Sequence, residues 1–355
     1  MTSTRILRKM FTLFLAIHLS AAVFAADGKS DESGKYLQKG KAAYEAEDYQ
    51  TAVRLLFLAS DLDDSAEAQF MLGECYQNGK GVEEDFDRAL NWYGKAAEQG
   101  HAEAKAAIAS FGVPGVRNEI IKLPDGVVMV MIKVVPGTFE MSVKDGENQS
   151  NEVPHRVTLT RDFFIGRTEV TQAQWKVVMG DTPLAFKKDN LPVEFVSWYD
   201  AMDFCEKLNA MGKAPDGWKF TLPTETQWEY AARGGNKSKG FKYSGSNSLD
   251  EVAWYMDNSC GEMHPVGRKK ANELGLCDMV ANMWEWCLDD WNDDSSRQKA
   301  EFSRGNDRNG SMRVRRGACF GSAGKYCRPG ERAGSNPGSR GRDLGFRVAL
   351  VPESY

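Results

Sequence analysis

The stretch GLCDMVANMWEW, residues 275–286, sets two carboxylates, Asp278 and Glu285, among Met279, Trp284 and Trp286. An irregular loop carrying acids between large apolar side chains is predicted to tuck against an aromatic core. Its carboxylates then either grip a hard cation or cap and solvate the loop. Around this stretch, residues 127–353 place isolated helical segments in long connections rich in Gly, Asn and Asp. Connections of that length in a folded domain need buried aromatics or metal ions to hold them.

Two helix starts are legible nearby. One begins at Ser197, with Trp198, Ala201, Met202, Cys205 and Leu208 on one face. The other begins at Thr224, where Gln227 completes a capping box. Upstream, VVMVMIKVVPGTFEMS at 127–142 predicts two short strands around Pro136-Gly137. The turn-rich FGVPGVRNEIIKLPDG, 111–126, reads as a linker. Residues 127–353 are thus a loop-rich α+β domain.

Residues 35–110 carry an internal repeat. Asp48-Tyr49 followed by Ala52 recurs as Asp85-Phe86 followed by Ala89, and Ala66-Glu67-Ala68 recurs as Ala102-Glu103-Ala104. Spacings of this size indicate stacked helical hairpins, in which small Ala residues let helices approach. Leu72, Tyr76, Ala89, Trp92 and Tyr93 supply the faces to be buried. The segment resembles the Sel-type subfamily of tetratricopeptide-like repeats. That resemblance implies a surface for a protein partner, with a helical brace on the following domain as the alternative.

Residues 1–26 read as a secretory signal peptide. Arg5, Arg8 and Lys9 precede the apolar run FTLFLAIHLSAAVF, and Val23-Phe24-Ala25 offers small residues for cleavage. The run is shorter than the ~20 apolar residues of a spanning helix. The mature protein is therefore expected to be exported, periplasmic or secreted, with no membrane span. A net charge of −5 makes a general nucleic-acid binder a poor reading. Four histidines, one of them in the signal segment, leave little for a poly-His metal centre. The seven cysteines contain no Cys-x-x-Cys, which removes thioredoxin and zinc-ribbon readings.

Ordered motifs give the second domain its relatives. They run PGTFEM (136–141), FFIGRTEVTQAQW (163–175), LPVEFVSWYDAMDFC (191–205), LPTETQWEYAARGG (222–235) and HPVG (264–267), then GLCDMVANMWEW, RRGA (315–318) and LGFRVA (344–349). Together they resemble the formylglycine-generating enzyme family, the sulfatase-modifying factors. The resemblance implies the family's variant of the C-type lectin fold, placed here after an N-terminal α-helical repeat region. It also implies an oxidoreductase that converts a protein cysteine to formylglycine with O2 and a Cu(I) ion held by two thiolates.

Matched to the family motif, Arg316-Gly317-Ala318-Cys319 puts the second copper cysteine on Cys327 and the first on Ser322. A serine hydroxyl is a hard, protonated donor and does not replace a thiolate for Cu(I). Cys319 and Cys327 are left as a displaced thiol pair, a disulfide, or separate structural thiols. The resemblance further implies a calcium site in which Asp278 and Glu285 give side-chain oxygens and Ala281 and Met283 give backbone carbonyls, with a second calcium site near 252–262. His155 and His264 match family positions and are expected to be structural.

The last part of the chain, 301–355, holds ten Arg and one Lys against five acidic residues. Arg316, Arg328, Arg332 and Arg347 match family positions and are predicted to be internal fork donors to carboxylates. Arg340 and Arg342, in a Gly- and Ser-rich loop, are the predicted surface contacts for an acidic ligand or glycan. Taken together, the sequence predicts an exported family member that binds or has a divergent activity, with the formylglycine-generating oxidoreductase as the alternative.

Overall fold

Aspartate and serine caps start the helices of the N-terminal unit. The computed structural model describes residues 33–110, 118–142, 153–180, 188–294, 296 and 312–353. The signal-like segment and residues 111–117 lie outside it. The chain divides into two units, Met1–Phe111 and Gly112–Tyr355. In the first, α1 (33–45) precedes α2 (Tyr49–Asp63), α3 (Ala66–Asn78), α4 (Phe86–Glu98) and α5 (Ala102–Ser110). Asp48, Ser65 and Asp85 each accept a backbone N–H three residues on, which satisfies donors that the first turn leaves open.

The helices bury the faces the repeat predicts. Leu72, Tyr76, Ala89 and Tyr93 are buried, and Trp92 packs edge-on against Phe57. The close approach of α3 and α4 depends on Gly73, where an added Cβ would lie 2.6 Å from the Tyr93 ring. His101 stacks on Phe70 and sits 3.0 Å from Glu67, so this histidine serves the packing of the unit.

The second unit begins with β1 (Glu119–Lys122), β2 (Val128–Val134), β3 (Thr138–Met141), β4 (His155–Thr158) and β5 (Phe163–Gly166). Then come α6 (Gln172–Met179), α7 (Trp198–Ala210), β6 (Trp218–Thr221), α8 (Glu225–Ala232) and the single turn α9 (Leu249–Val252). It ends with β7 (Trp284–Asp290), β8 (Arg313–Arg316), β9 (Arg332–Ser335), β10 (Leu344–Gly345) and β11 (Ala349–Pro352). One sheet has the order β1-β2-β5-β11-β6, a second the order β10-β7-β8-β9, and β3 pairs with β4 alone.

Strand β1 corrects the linker at its C-terminal end. Residues 119–122 pair antiparallel with 128–131 across a turn at Pro124–Gly126, because Ile120 and Ile121 find Val130 and Met129 as partners. The predicted helices start where expected. Ser197 and Thr224 are both N-caps, and Trp198, Ala201, Met202, Cys205 and Leu208 are all buried.

The core between the sheets is aromatic, and two of its indole N–H groups bond backbone carbonyls, while that of Trp175 is buried without a partner. Trp198 donates to the Cys287 carbonyl at 2.9 Å and Trp286 to the Val196 carbonyl at 3.0 Å. Helix α8 is buried at every residue and carries two carboxylates inward. Arg316 reaches Glu225 at 2.7 Å and Glu229 at 2.6 Å, while Arg332 forks onto both oxygens of Glu225 at 2.7 and 2.8 Å. Neighbouring guanidinium charge draws both glutamates below the ordinary carboxylate range, against a burial term that pushes the other way.

Breaking one partner of such a pair costs more than the pair contributes, because a charge is stranded without water. Arg316→Met takes the guanidinium from Glu229 Oε2 and from one side of Glu225, leaving Arg233 on Glu229 Oε1 and Arg332 on Glu225. The expected result in urea unfolding is a loss of about 3–5 kcal/mol. Replacing Arg316, Arg332, Glu225 and Glu229 together by apolar residues is expected to recover most of it.

Candidate functional site

The loop between Asp278 and Trp284 joins the second sheet to the elements around it. Asp278, Ala281 and Asn282 take φ of 55°, 63° and 60°, a left-handed backbone that costs on the order of 1 kcal/mol per residue without glycine. Surrounding contacts hold it. The Ala281 N–H donates to Gly317 O at 2.5 Å, Asn282 to Trp254 O at 3.0 Å and Trp284 to Asp343 O at 2.9 Å. The Asn282 side chain donates to Glu169 Oε1 at 3.0 Å and to His264 O at 3.2 Å, and accepts the His264 N–H at 2.9 Å. His264 also stacks on Trp254 at 3.8 Å, and His155 lies beside the Val153 carbonyl at 2.7 Å, so both have structural partners.

The residues implied for calcium meet different partners from one another. Glu285 is fully buried and both its oxygens are taken. Arg347 donates to each at 2.6 Å, and the Trp228 indole N–H shares Oε2 at 2.6 Å. The Ala281 carbonyl accepts the Met283 N–H at 2.8 Å. Asp278 spends Oδ2 on the Gly267 N–H at 2.6 Å, while its Oδ1 is buried with no partner. Glu285 is thus engaged by Arg347 and Trp228, while Asp278 keeps one buried carboxylate oxygen without a partner.

A carboxylate that the sequence did not single out shares the Asp278 environment. Glu169 is buried beside it, and its Oε2 also has no partner. Burial, and then the charge of Asp278, push the Glu169 carboxyl well above its ordinary range; burial likewise raises Asp278. The sequence signal is an acid inside the apolar run FFIGRTEVT, at the junction between β5 and α6.

The two remaining candidate thiols lie on either side of Ser322. The Ser322 hydroxyl is 3.4 Å from Cys319 Sγ and accepts the Cys319 N–H at 3.1 Å. Cys327 Sγ instead points at the Ser322 and Ala323 carbonyls, at 4.0 and 3.7 Å. Both cysteines are free thiols, so the disulfide alternative is not formed. Burial raises Cys319 and pushes Cys327 up to about 12. An alcohol at 322 replaces the first thiolate of the two-thiolate donor set that Cu(I) prefers.

The arginines divide as the sequence predicts. Arg316, Arg328, Arg332 and Arg347 are buried and paired with carboxylates. Arg340 and Arg342 are exposed. Each is nonetheless tied to the protein: Arg340 to Asp200 at 2.6 Å, and Arg342 to the Gly261 carbonyl at 2.9 Å, with its guanidinium 5.2 Å from the Phe320 ring centre.

Comparison with known proteins finds relatives for both units. Residues 118–351 match the model of the sulfatase-modifying factor enzyme 1-like domain, and residues 33–64 and 66–101 match Sel1 repeats. The chain is 38% identical to a chaperone protein LppX of Paenibacillus barcinonensis, over 44% of this chain and 70% of that one. It is 30% identical to the inactive C-alpha-formylglycine-generating enzyme 2 of Bos taurus, over 56% of this chain. It spans 64% of that bovine relative's length. Among solved structures, Treponema denticola variable protein 1 superposes with a TM-score of 0.57 at 31% identity, covering 68% of this chain and all of that one.

The buried pair Glu169 and Asp278 makes stability depend on pH. Both folded-state pKa values are raised, so the stabilisation is complete below the unfolded carboxylate range. It is lost as pH rises through the raised values. Glu169→Gln keeps an acceptor for Asn282 and removes one charge. In chelator-treated protein it is expected to be more stable than wild type at pH 8 and to lose that advantage at pH 4. Urea unfolding at the two pH values checks this. A calcium-dependent loss in the variant would show instead that a cation fills the pair.

Proposed function

This chain belongs to the sulfatase-modifying factor enzyme 1-like family, with Sel1 repeats ahead of that domain, and from that premise we propose that it is an exported binding or divergent-activity member. It is not, on this reading, a copper-dependent formylglycine generator. The observation that carries the reading is Ser322: an alcohol stands between Cys319 and Cys327, where the family motif puts the first copper thiolate. Cu(I) gains little from a hard, protonated oxygen. Similarity to a relative named as inactive and to one named as a chaperone supports the same direction.

The Sel1 repeats supply the protein-partner surface, since stacked helical hairpins present extended faces for that purpose. The sheets and long connections of the second unit support the family's C-type lectin variant as its fold. Export rests on the signal-like residues 1–26, and no helix among the described residues is long and apolar enough to cross a membrane.

The test is a Cu(I) titration of the reduced full chain, beside mass spectrometry of a sulfatase-type Cys-x-Pro-x-Arg peptide. The expected outcome is no peptide oxidation and no one-to-one copper complex that depends on Cys327. Ser322→Cys is expected to gain Cu(I) affinity by supplying the second thiolate. Formylglycine made by the wild-type chain would restore the oxidoreductase reading, with Cys319 and Cys327 as its thiols.

A further inference from the structure

We propose that Arg315, beside Cys319 and Arg342, is a recognition site for a carboxylate group on a ligand. This rests on the reading of the second unit as a binding domain and names the chemistry it would recognise.

Strand β8 carries three arginines, and two of them are spent. Arg313 pairs with Asp290 at 2.7 Å, and Arg316 is held by Glu225 and Glu229. The Arg315 side chain makes no hydrogen bond or ion pair among the described residues. It is partly buried, and its Nε lies out of water with no acceptor. Its guanidinium carbon sits 4.5 Å from the centre of the Trp284 ring. A guanidinium held over an aromatic ring in this way is fixed in orientation, with its N–H edge available to a planar, two-oxygen acceptor.

The surroundings mark this as a recognition position. Asp343 and the Cys319 thiol are the acidic groups close enough for Arg315 to feel, yet neither pairs with it. Burial disfavours its charge. A second cation stands on the neighbouring residues, since Arg342 precedes Asp343 in the chain, lies over Phe320 next to Cys319 and uses one nitrogen on Gly261. A carboxylate here would supply the acceptors that the protein withholds from Arg315, with Arg342 adding charge at the rim. A methylated or neutral ligand head would leave the guanidinium unsatisfied.

The adjacent thiol provides the readout. The reduced full chain is alkylated in parallel with iodoacetate, which carries a carboxylate, and with iodoacetamide, which does not. The rate at Cys319 is read by peptide mass mapping against a neutral small thiol in the same buffer. The iodoacetate-to-iodoacetamide ratio at Cys319 is expected to exceed that of the free thiol by on the order of tenfold, the scale of one charge-assisted contact. Arg315→Gln is expected to abolish the preference and Arg342→Gln to reduce it.

Acetate should compete with iodoacetate in the wild-type chain and acetamide should not, which decides the matter even if Arg315→Gln fails to fold. Competition by acetate alone assigns a small carboxylate, and stronger competition by an Asp-rich peptide assigns an acidic protein segment. An equal ratio at Cys319 and the free thiol, or no competition by either carboxylate, overturns the proposal. Peptide oxidation in the copper experiment would overturn the binding reading without changing this ratio, so the two failures are separately visible.

Discussion

The fork of Arg347 onto Glu285 is the contact on which the second unit depends. Its guanidinium also donates to the carbonyls of Gly166, Cys277 and Asp278, so one side chain ties β5, the loop before β7 and β7 itself to the end of the chain. Trp228 adds α8 through the same Glu285 oxygen. A domain with long connections cannot rely on ladders and helices alone to fix its loops. Here buried charge does that work, since each donor is worth far more paired than stranded. An apolar replacement of the whole cluster could match its stability, but it would not specify where each loop must end.

The same logic separates architecture from recognition along β8. Neighbouring guanidinium groups on one short strand have opposite fates: Arg316 finds two glutamates inside the core, while Arg315 lies on Trp284 with nothing to hold. Saturated arginines fix the fold and have no capacity left for a ligand. The functional candidates are therefore the groups the fold leaves incomplete, and composition alone cannot reveal them, because Arg315 and Arg316 are adjacent and chemically identical.

Local chemistry made the elements legible, and distance hid their partners. The capping boxes at Ser197 and Thr224, the apolar face of α7 and the small-residue spacing of the repeats are short-range signals, and each marks the element it predicts. Strand β1 was hidden because Pro124 and Gly126 look like linker punctuation, although they form the turn that lets Ile120 and Ile121 join the sheet. The family resemblance makes Asp278 and Glu285 ligands of one cation. In space Glu285 answers to Arg347, 62 residues on, and Asp278 answers to Glu169. No spacing rule connects residues that far apart, so the donors of the core could be anticipated as internal while their acceptors could not be named.

Thiol electrostatics then decide what the Cys319 surface can do. A cysteine becomes a nucleophile or a soft-metal ligand as a thiolate, which needs positive charge or a metal to offset burial. Cys327 has no cation among the groups that shift it: it faces two backbone carbonyls, and burial pushes it up to about 12. Cys319 has the Ser322 hydroxyl and the nearby Arg315 working against the same burial, and its thiol remains raised. One cation that cannot generate a thiolate can still orient an anion, because a carboxylate arrives already charged and requires only donors in a fixed plane. Arg315 over Trp284 meets that requirement, which is what supports an acidic group as its proposed ligand.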